Sequence, residues 1–215
     1  METLIRRANE EGIRGYVPIE KPLLDEDKAA RRLAFAKRVK KLLERTPNLL
    51  HSIVFTDETR LRLIESSVGG NVHVRCRSDE RLDPENVNGS VKYGGGGIPF
   101  WGAISYRRIG RLIKFDENLT GEIYSNEVLR GALVDSLNDM EMEIEDALIV
   151  EDLDPKHTLR CHLSQETAEE MGYNIFQDYP PSSPDLNPIE VIWSLLKTSV
   201  AKRKPTTMEE LEEFA

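Results

Sequence analysis

ALIVED, residues 147–152, is the stretch on which the fold turns. Its four apolar residues run without polar interruption, too short for an ordinary helix and lacking the alternation of a strand wetted on one side. That pattern belongs to a strand with both faces covered. Covering elements stand on either side. Upstream, Ile123, Val128, Leu129, Leu133 and Leu137 recur at roughly helical spacing within residues 121–139, and the acidic run EMEIED separates that helix from the strand. Downstream, SQETAEEMG (164–172) predicts a helix stopped at Gly172 and NIFQDYP (174–180) a further strand. SSPDLNP (182–188) then makes a loop, and a last helix runs from Pro188 to about Ala201.

Before that core, SIVFTDETRLRLIES (52–66) predicts a strand, a sharp polar turn at Asp57-Glu58-Thr59, and a second strand. Residues 66–99 are rich in Gly, Asn, Ser and charge and predict an extended insertion. YGGGGIPFWGAISY (93–106) leads into a buried strand around Trp101 to Ser105, and RLIKF (111–115) makes another. The four glycines are not a phosphate-binding loop, since no Gly-Lys-Ser/Thr follows and no helix opens there. The order β-β-β-β-α-β-α-β-α predicts a mixed β-sheet flanked by helices, an α/β fold of ribonuclease H-like type. Residues 1–50 form a basic helical lead-in, and residues 51–215 the α/β domain. In the lead-in, DEDKAARRLAFAKRVKKLLERT (25–46) sets Leu33, Ala36, Val39, Leu42 and Leu43 at helical spacing among Lys and Arg. Its basic face is either solvated or a contact for a DNA backbone.

Composition narrows the class. Hydrophobic residues make up 39% and charged residues 31%, with no apolar run long enough to span a bilayer. METLIRRANEEGIRG lacks the continuous apolar stretch of a secretory signal, so no export is implied. Cys76 and Cys161 stand far apart without a CxxC partner, which fits a reducing compartment and excludes a disulfide scaffold or a cysteine zinc site. The net charge of -9 opposes nucleic-acid binding at first sight, yet residues 1–50 carry 12 Lys and Arg against 8 Asp and Glu (+4), leaving 17 against 30 (-13) in the rest. Carboxylates gathered for metal ions make a domain acidic without excluding a DNA substrate. Tight, sequence-specific DNA binding is then expected elsewhere.

Asp57, Asp152 and Glu190 each follow a buried element or open a helix beside one. Residues at the ends of neighbouring strands in an open α/β sheet collect at one edge, where ligands bind. Carboxylates without His or Cys partners suit hard cations, magnesium or manganese, and two such ions support in-line phosphoryl transfer. Among 38 Asp and Glu, spacing alone does not separate these acids from solvated turn residues.

The words around them do. FTDET (55–59), IVEDLDPKHT (149–158) and YPPSSPDLNPIEVIWSLLK (179–197), with WGAIS (101–105) between the first two, closely resemble the three catalytic blocks of the mariner superfamily of DDE transposases. FAKRVKKLLERTP (35–47), the YGGGGIPFWG block and PTTMEELEEF (205–214) have counterparts there too, so the resemblance covers nearly the whole chain. It implies Asp57 as the first catalytic and metal-binding carboxylate, bridging two Mg2+ or Mn2+ ions, Asp152 as the second and Glu190 as the third. It implies cleavage of DNA at transposon ends by water, then attack of the freed 3′ hydroxyl on target DNA. DNA is the implied partner and a homodimer the implied assembly, with no membrane and no small-molecule substrate. The implied location is the nucleus in a eukaryote and otherwise the cytoplasm.

Lys156 is placed to touch a phosphate, and His157 to contact backbone or hold structure rather than act as a base, since metal-activated water needs none. Glu58, Glu151 and Asp154 are expected to point away from the metals. Trp101 and Trp193 read as core. Asn187 and Pro188 match an N-cap and first helical position, which leaves Asp185 in the loop, capping a turn, and puts Glu190 at the edge of the stripe Ile189, Ile192, Trp193, Leu196, Val200. The sequence departs from the family at Leu153, where Asn is usual, and in the 37 residues between Asp152 and Glu190, a few more than commonest. The paired helix-turn-helix modules and the closing C-terminal portion of the family are expected to be missing, as in a truncated copy. A catalytically silent remnant that binds DNA or a full-length transposase is the alternative, and a paired-carboxylate hydrolase such as a glycosidase, active without added metal, a third reading.

Overall fold

The computed structural model describes residues 6, 7, 10, 25–63, 97–152 and 162–215. Two compact units divide the chain, Met1–Leu23 with Ser67–Val87, and Leu24–Ser66 with Asn88–Ala215; every element named below belongs to the second. Of the insertion expected at residues 66–99, residues 66–96 lie outside the described residues and 97–99 are strand instead; the expectations for both cysteines and for Leu153, Asp154, Lys156 and His157 also lie outside the described residues.

Helix α1 (Glu26–Arg45) starts at Asp25, whose carboxylate accepts from the Lys28 N–H at 2.8 Å, and acidic Glu26 and Asp27 occupy its positive end. A short 3-10 turn, Pro47–His51, leads into β1 (Ile53–Arg62), followed by β2 (Gly97–Ser105) and β3 (Ile109–Lys114). A continuous helical segment comes next: α2 (Gly121–Ile123), a π-helical stretch Tyr124–Ala132, and α3 (Leu133–Asp139). Then follow β4 (Leu148–Val150), α4 (His162–Met171), β5 (Asn174–Ile175), α5 (Ile189–Arg203) and α6 (Met208–Glu213). The strands form one mixed sheet in the order β3-β2-β1-β4-β5, antiparallel across β3-β2-β1 and parallel across β1-β4-β5. This is the ribonuclease H-like α/β arrangement expected. Among the described residues no helix is long and apolar enough to cross a membrane.

Two strand expectations are corrected. Asp57-Glu58-Thr59 is not a turn: β1 is one ten-residue strand, and these residues pair with Gly102, Trp101 and Phe100 in unbroken antiparallel register. The partner strand satisfies the backbone through the polar triplet, so the chain has no reason to reverse. NIFQDYP contributes only Asn174–Ile175 to the sheet, because the chain bends at Asp178 (φ 60°) and drops Phe176 and Tyr179 into the core. Gly172 does end its helix, at φ 75°, a conformation costly for a residue with a Cβ.

The two sheet faces are built differently. On one, Val54, Trp101, Ala103 and Ile149 pack beneath Tyr124, Val128, Leu129, Leu133 and Leu137 of the long helical segment. Each fully buried Leu there contributes about 1.5–3 kcal/mol from area removed from water. The other face carries two separate clusters. Ile53, Val150, Phe176 and Tyr179, with Phe55, lie under Phe35 and Val39 of α1, while Leu61, Ile98 and Phe100 lie under Val200 of α5 and Leu211 of α6. Successive side chains alternate faces along a strand, so Ile53, Phe55, Asp57 and Leu61 share this second face. Asp57 falls between its two apolar clusters.

Helix α1 meets the sheet through a face that keeps Val39 and Leu43 of the predicted stripe but not Leu33 or Leu42. Leu33 is 56% exposed and Leu42 38%, whereas Arg32, Phe35, Val39 and Leu43 turn inward. The aromatic residue decides this: the Phe35 ring lies 5.5 Å from both Phe176 and Tyr179, a contact worth more than burying Ala36.

Candidate active site

The parallel pairing of β1 with β4 explains why two distant aspartates meet. Phe55 stands opposite Val150, and Asp57 and Asp152 each lie two residues further along their chains, on the same side of the sheet. Glu190 enters from the first turn of α5. All three acids line one cavity of about 380 Å³, together with Tyr179, Ser183 and Asn187.

The start of α5 is pinned to β1 by a single buried amide. Asn187 donates from Nδ2 to the Thr56 carbonyl at 3.1 Å, and its Oδ1 accepts from the Ile189 N–H at 3.3 Å. The helix begins at Ile189 with Pro188 at its cap, one residue later than expected, and Asn187 instead ties its start to the residue before Asp57. The Thr56 hydroxyl in turn donates to the Val150 carbonyl at 3.1 Å, joining β1 to β4 just below the acids. Along α5, Ile189, Trp193 and Val200 are buried, Ile192 and Leu196 are partly so, and Glu190 is half-buried at the stripe's edge.

Asp185 faces elsewhere. Arg32 Nη2 donates to both of its carboxylate oxygens, at 2.8 and 2.7 Å, while Nη1 reaches the Ser182 carbonyl and the Ser183 hydroxyl. Glu151 also has a partner of its own, accepting from the buried Tyr124 hydroxyl on the opposite face. Glu58 pairs across the sheet with core Trp101, which places it on that opposite face as well. Arg38 is similarly engaged, with Asp178 at 2.9 Å and the Gln177 carbonyl. Two of the arginines that made α1 a candidate DNA contact thus hold the protein together.

One functional contact escaped the sequence reading. Trp193, read as core, is buried, and its Nε1 also donates to Oδ2 of Asp57 at 3.0 Å. The signal available was its position three residues after Glu190, which puts both on neighbouring parts of one helical face.

The electrostatics single out Asp57. Burial pushes its carboxyl up to about 7, and the negative charges of Glu190, Glu58 and Asp152 push the same way. Burial also raises Glu190, with Lys197 opposing and Asp152 adding. Tyr179, whose hydroxyl donates to the Ser183 carbonyl at 2.9 Å, is raised by burial and by Asp185, Asp57 and Asp152. The shifts of Asp57 and Glu190 mark carboxylate charge that is costly in a sheltered place, which a cation would relieve. The donors are oxygens alone, which fits a hard divalent ion rather than zinc. Among the described residues no three His, Cys, Asp or Glu side chains are drawn close enough to enclose an ion.

Comparison with known proteins places the chain. A family model described as DDE superfamily endonuclease matches residues 52–212. The Tc1 transposase of Caenorhabditis elegans is 28% identical over 195 residues, 91% of this chain and 67% of the relative. The Tcb2 transposase of Caenorhabditis briggsae is 28% identical over 202 residues, covering 93% and 69%. Among solved structures, a Mos1 transposase paired-end complex with the left transposon end aligns with a TM-score of 0.75 at 17% identity, over 99% of this chain and 61% of that one. The Mos1 mariner catalytic domain aligns with a TM-score of 0.64 at 15% identity, over 93% and 82%. The chain spans about two thirds of the curated relatives and 61% of the longer Mos1 chain.

Proposed function

The chain belongs to the DDE superfamily endonucleases, and from that premise we propose that it is the catalytic domain of a Tc1/mariner-type transposase, cutting DNA at transposon ends and joining the freed ends to target DNA. The observation that carries this reading is the opening of Asp57, Asp152 and Glu190 onto one cavity, from two adjacent strands and the first turn of a helix. DNA complexes of Mos1 and its structures with magnesium or manganese support the substrate and the metal.

Asp57, Asp152 and Glu190 would hold two divalent ions, magnesium or manganese. When bound there, such ions supply Lewis-acid activation of the attacking oxygen and neutralise charge on the phosphate and leaving oxygen. The chain's own residues prepare the place. Asn187 sets α5, and with it Glu190, against β1. Tyr179 walls the cavity with a ring whose hydroxyl is already engaged. Trp193 holds one oxygen of Asp57. The raised affinity of Asp57 for protons would give way once positive charge arrives. Lys156 and His157, outside the described residues, are proposed as contacts to the DNA backbone. A homodimer on paired ends is the proposed assembly.

The test is strand cleavage on DNA carrying the ends of the chain's own element, in manganese, using the full-length protein encoded at its locus. Asp57→Asn, Asp152→Asn and Glu190→Gln are each expected to lower cleavage at least 100-fold, on the order of the loss when a group acting in the transition state is removed. Metal-independent cleavage, or full activity in any of the three, would overturn the assignment.

A further inference from the structure

Asp57 stands directly opposite Gly102 in the β1-β2 pairing, and Trp193 occupies the space that a side chain at position 102 would fill. A Cβ built on Gly102 lies 2.7 Å from Cη2 of the indole, closer than such atoms approach. The missing side chain leaves room for the ring against β2, and its Nε1 reaches Oδ2 of Asp57 at 3.0 Å. The molecule's other tryptophan makes a useful contrast. Trp101 is as deeply buried, yet its Nε1 meets no acceptor among the described residues.

From this arrangement we infer that Trp193 is a positioning residue for Asp57, seated by Gly102, which fixes the carboxylate's rotation so that Oδ1 is presented to the metal ion. An indole N–H suits the task. It donates only, carries no charge and has no accessible proton equilibrium, so it holds one oxygen without competing with the cation for the other. A lysine or arginine in the same place would neutralise the ligand. Hydrogen-bond partners of this kind orient ligands before the ion arrives, and losing one typically lowers metal affinity about 10- to 100-fold. The ring's packing serves the same end, since a side chain locked between β2 and α5 cannot swing away when the carboxylate turns.

The inference rests on Asp57 being a metal ligand, and the experiment separates the two. Manganese binding is measured by calorimetry on the full chain and on Trp193→Phe, Gly102→Ala, Trp101→Phe and Asp57→Asn, each with its thermal melt. Trp193→Phe keeps most of the ring and removes the donor; Gly102→Ala keeps the donor and displaces the ring. Both are expected to weaken manganese binding about tenfold or more. Trp101→Phe lowers the melting temperature and leaves manganese binding unchanged, and Asp57→Asn abolishes binding. If Trp193→Phe does not fold, Gly102→Ala alone decides. Wild-type binding in Trp193→Phe or Gly102→Ala, with Asp57→Asn abolished, overturns the inference and leaves the metal site standing. Equal weakening by Trp101→Phe also overturns it, reducing Trp193 to a packing residue. Unchanged binding in Asp57→Asn removes the metal assignment, and the inference with it.

Discussion

The guanidinium of Arg32 forks onto both carboxylate oxygens of Asp185, at 2.8 and 2.7 Å, across 153 residues of chain. Arg32 is 17% exposed at its side chain and also donates to the Ser182 carbonyl and the Ser183 hydroxyl. A helix outside the sheet therefore holds the loop that delivers Glu190. Arg32→Ala is expected to cost about 1–2 kcal/mol, as lost charge-assisted hydrogen bonds at a half-open site do. The same change should raise the metal concentration needed for half-maximal cleavage more than it lowers the maximum rate. A melt and a metal titration check both, and an unchanged metal requirement would detach the loop from the site.

Asp185 and Glu190 lie in one sequence block and have opposite duties. Asp185→Asn keeps the shape and removes the charge facing Arg32, at an exposed position. It is expected to retain cleavage within about threefold and to lose less than about 1 kcal/mol of stability. Glu190→Gln is expected to abolish cleavage in manganese with its melt unchanged or improved, since a sheltered negative charge is removed. The reverse pattern would move the third ligand to Asp185.

That division was readable in advance because Asn187-Pro188 marks a helix start whatever the tertiary structure does. ALIVED was readable for a similar reason: an unbroken apolar run has few places to go. Asp57-Glu58-Thr59 was misread because a polar triplet between apolar runs usually reverses the chain, and only β2, after residues 64–96, supplies the pairing that keeps it extended. The inward face of α1 was right at Val39 and Leu43 and missed Phe35 for want of one fact, that Phe176 and Tyr179 wait beneath it. The Trp193-Asp57 hydrogen bond joins residues 136 positions apart; helical spacing places Trp193 beside Glu190, and only the tertiary fold brings it to Asp57. Contacts within an element were legible; contacts between elements that build the site were not.

The raised carboxyl of Asp57 makes stability depend on pH. Its affinity for protons is greater in the folded chain, about 7 against an ordinary 3.8, so its contribution is complete below about pH 4 and is lost as pH rises through about 7. In metal-free protein, the wild type should fall in stability relative to Asp57→Asn by on the order of 2–4 kcal/mol between pH 4 and pH 8. Manganese at pH 8 should close that gap. Urea titrations across the range read it directly, and a constant gap from pH 4 to pH 8 would show that Asp57 is not charged against its surroundings.

DNA affinity should be weak and insensitive to sequence. Five of the described arginines are paired internally: Arg32 with Asp185, Arg38 with Asp178, Arg108 with Glu141, Arg111 with Asp139 and Arg130 with Glu170. The chain also bears a net charge of -9. Residues 1–215 are expected to bind transposon-end and random duplexes within about threefold of each other, with affinity falling steeply in salt. A footprint confined to the element's ends would place the recognition surface on this chain.

The central claim is that Asp57, Asp152 and Glu190 hold divalent metal together, and the most direct measurement is anomalous diffraction from crystals soaked in manganese. The account predicts anomalous density in the cavity that these three carboxylates line, present in the wild type and absent from an Asp57→Ala, Asp152→Ala double variant. Density elsewhere with none in that cavity, or density there that survives the double substitution, would contradict it.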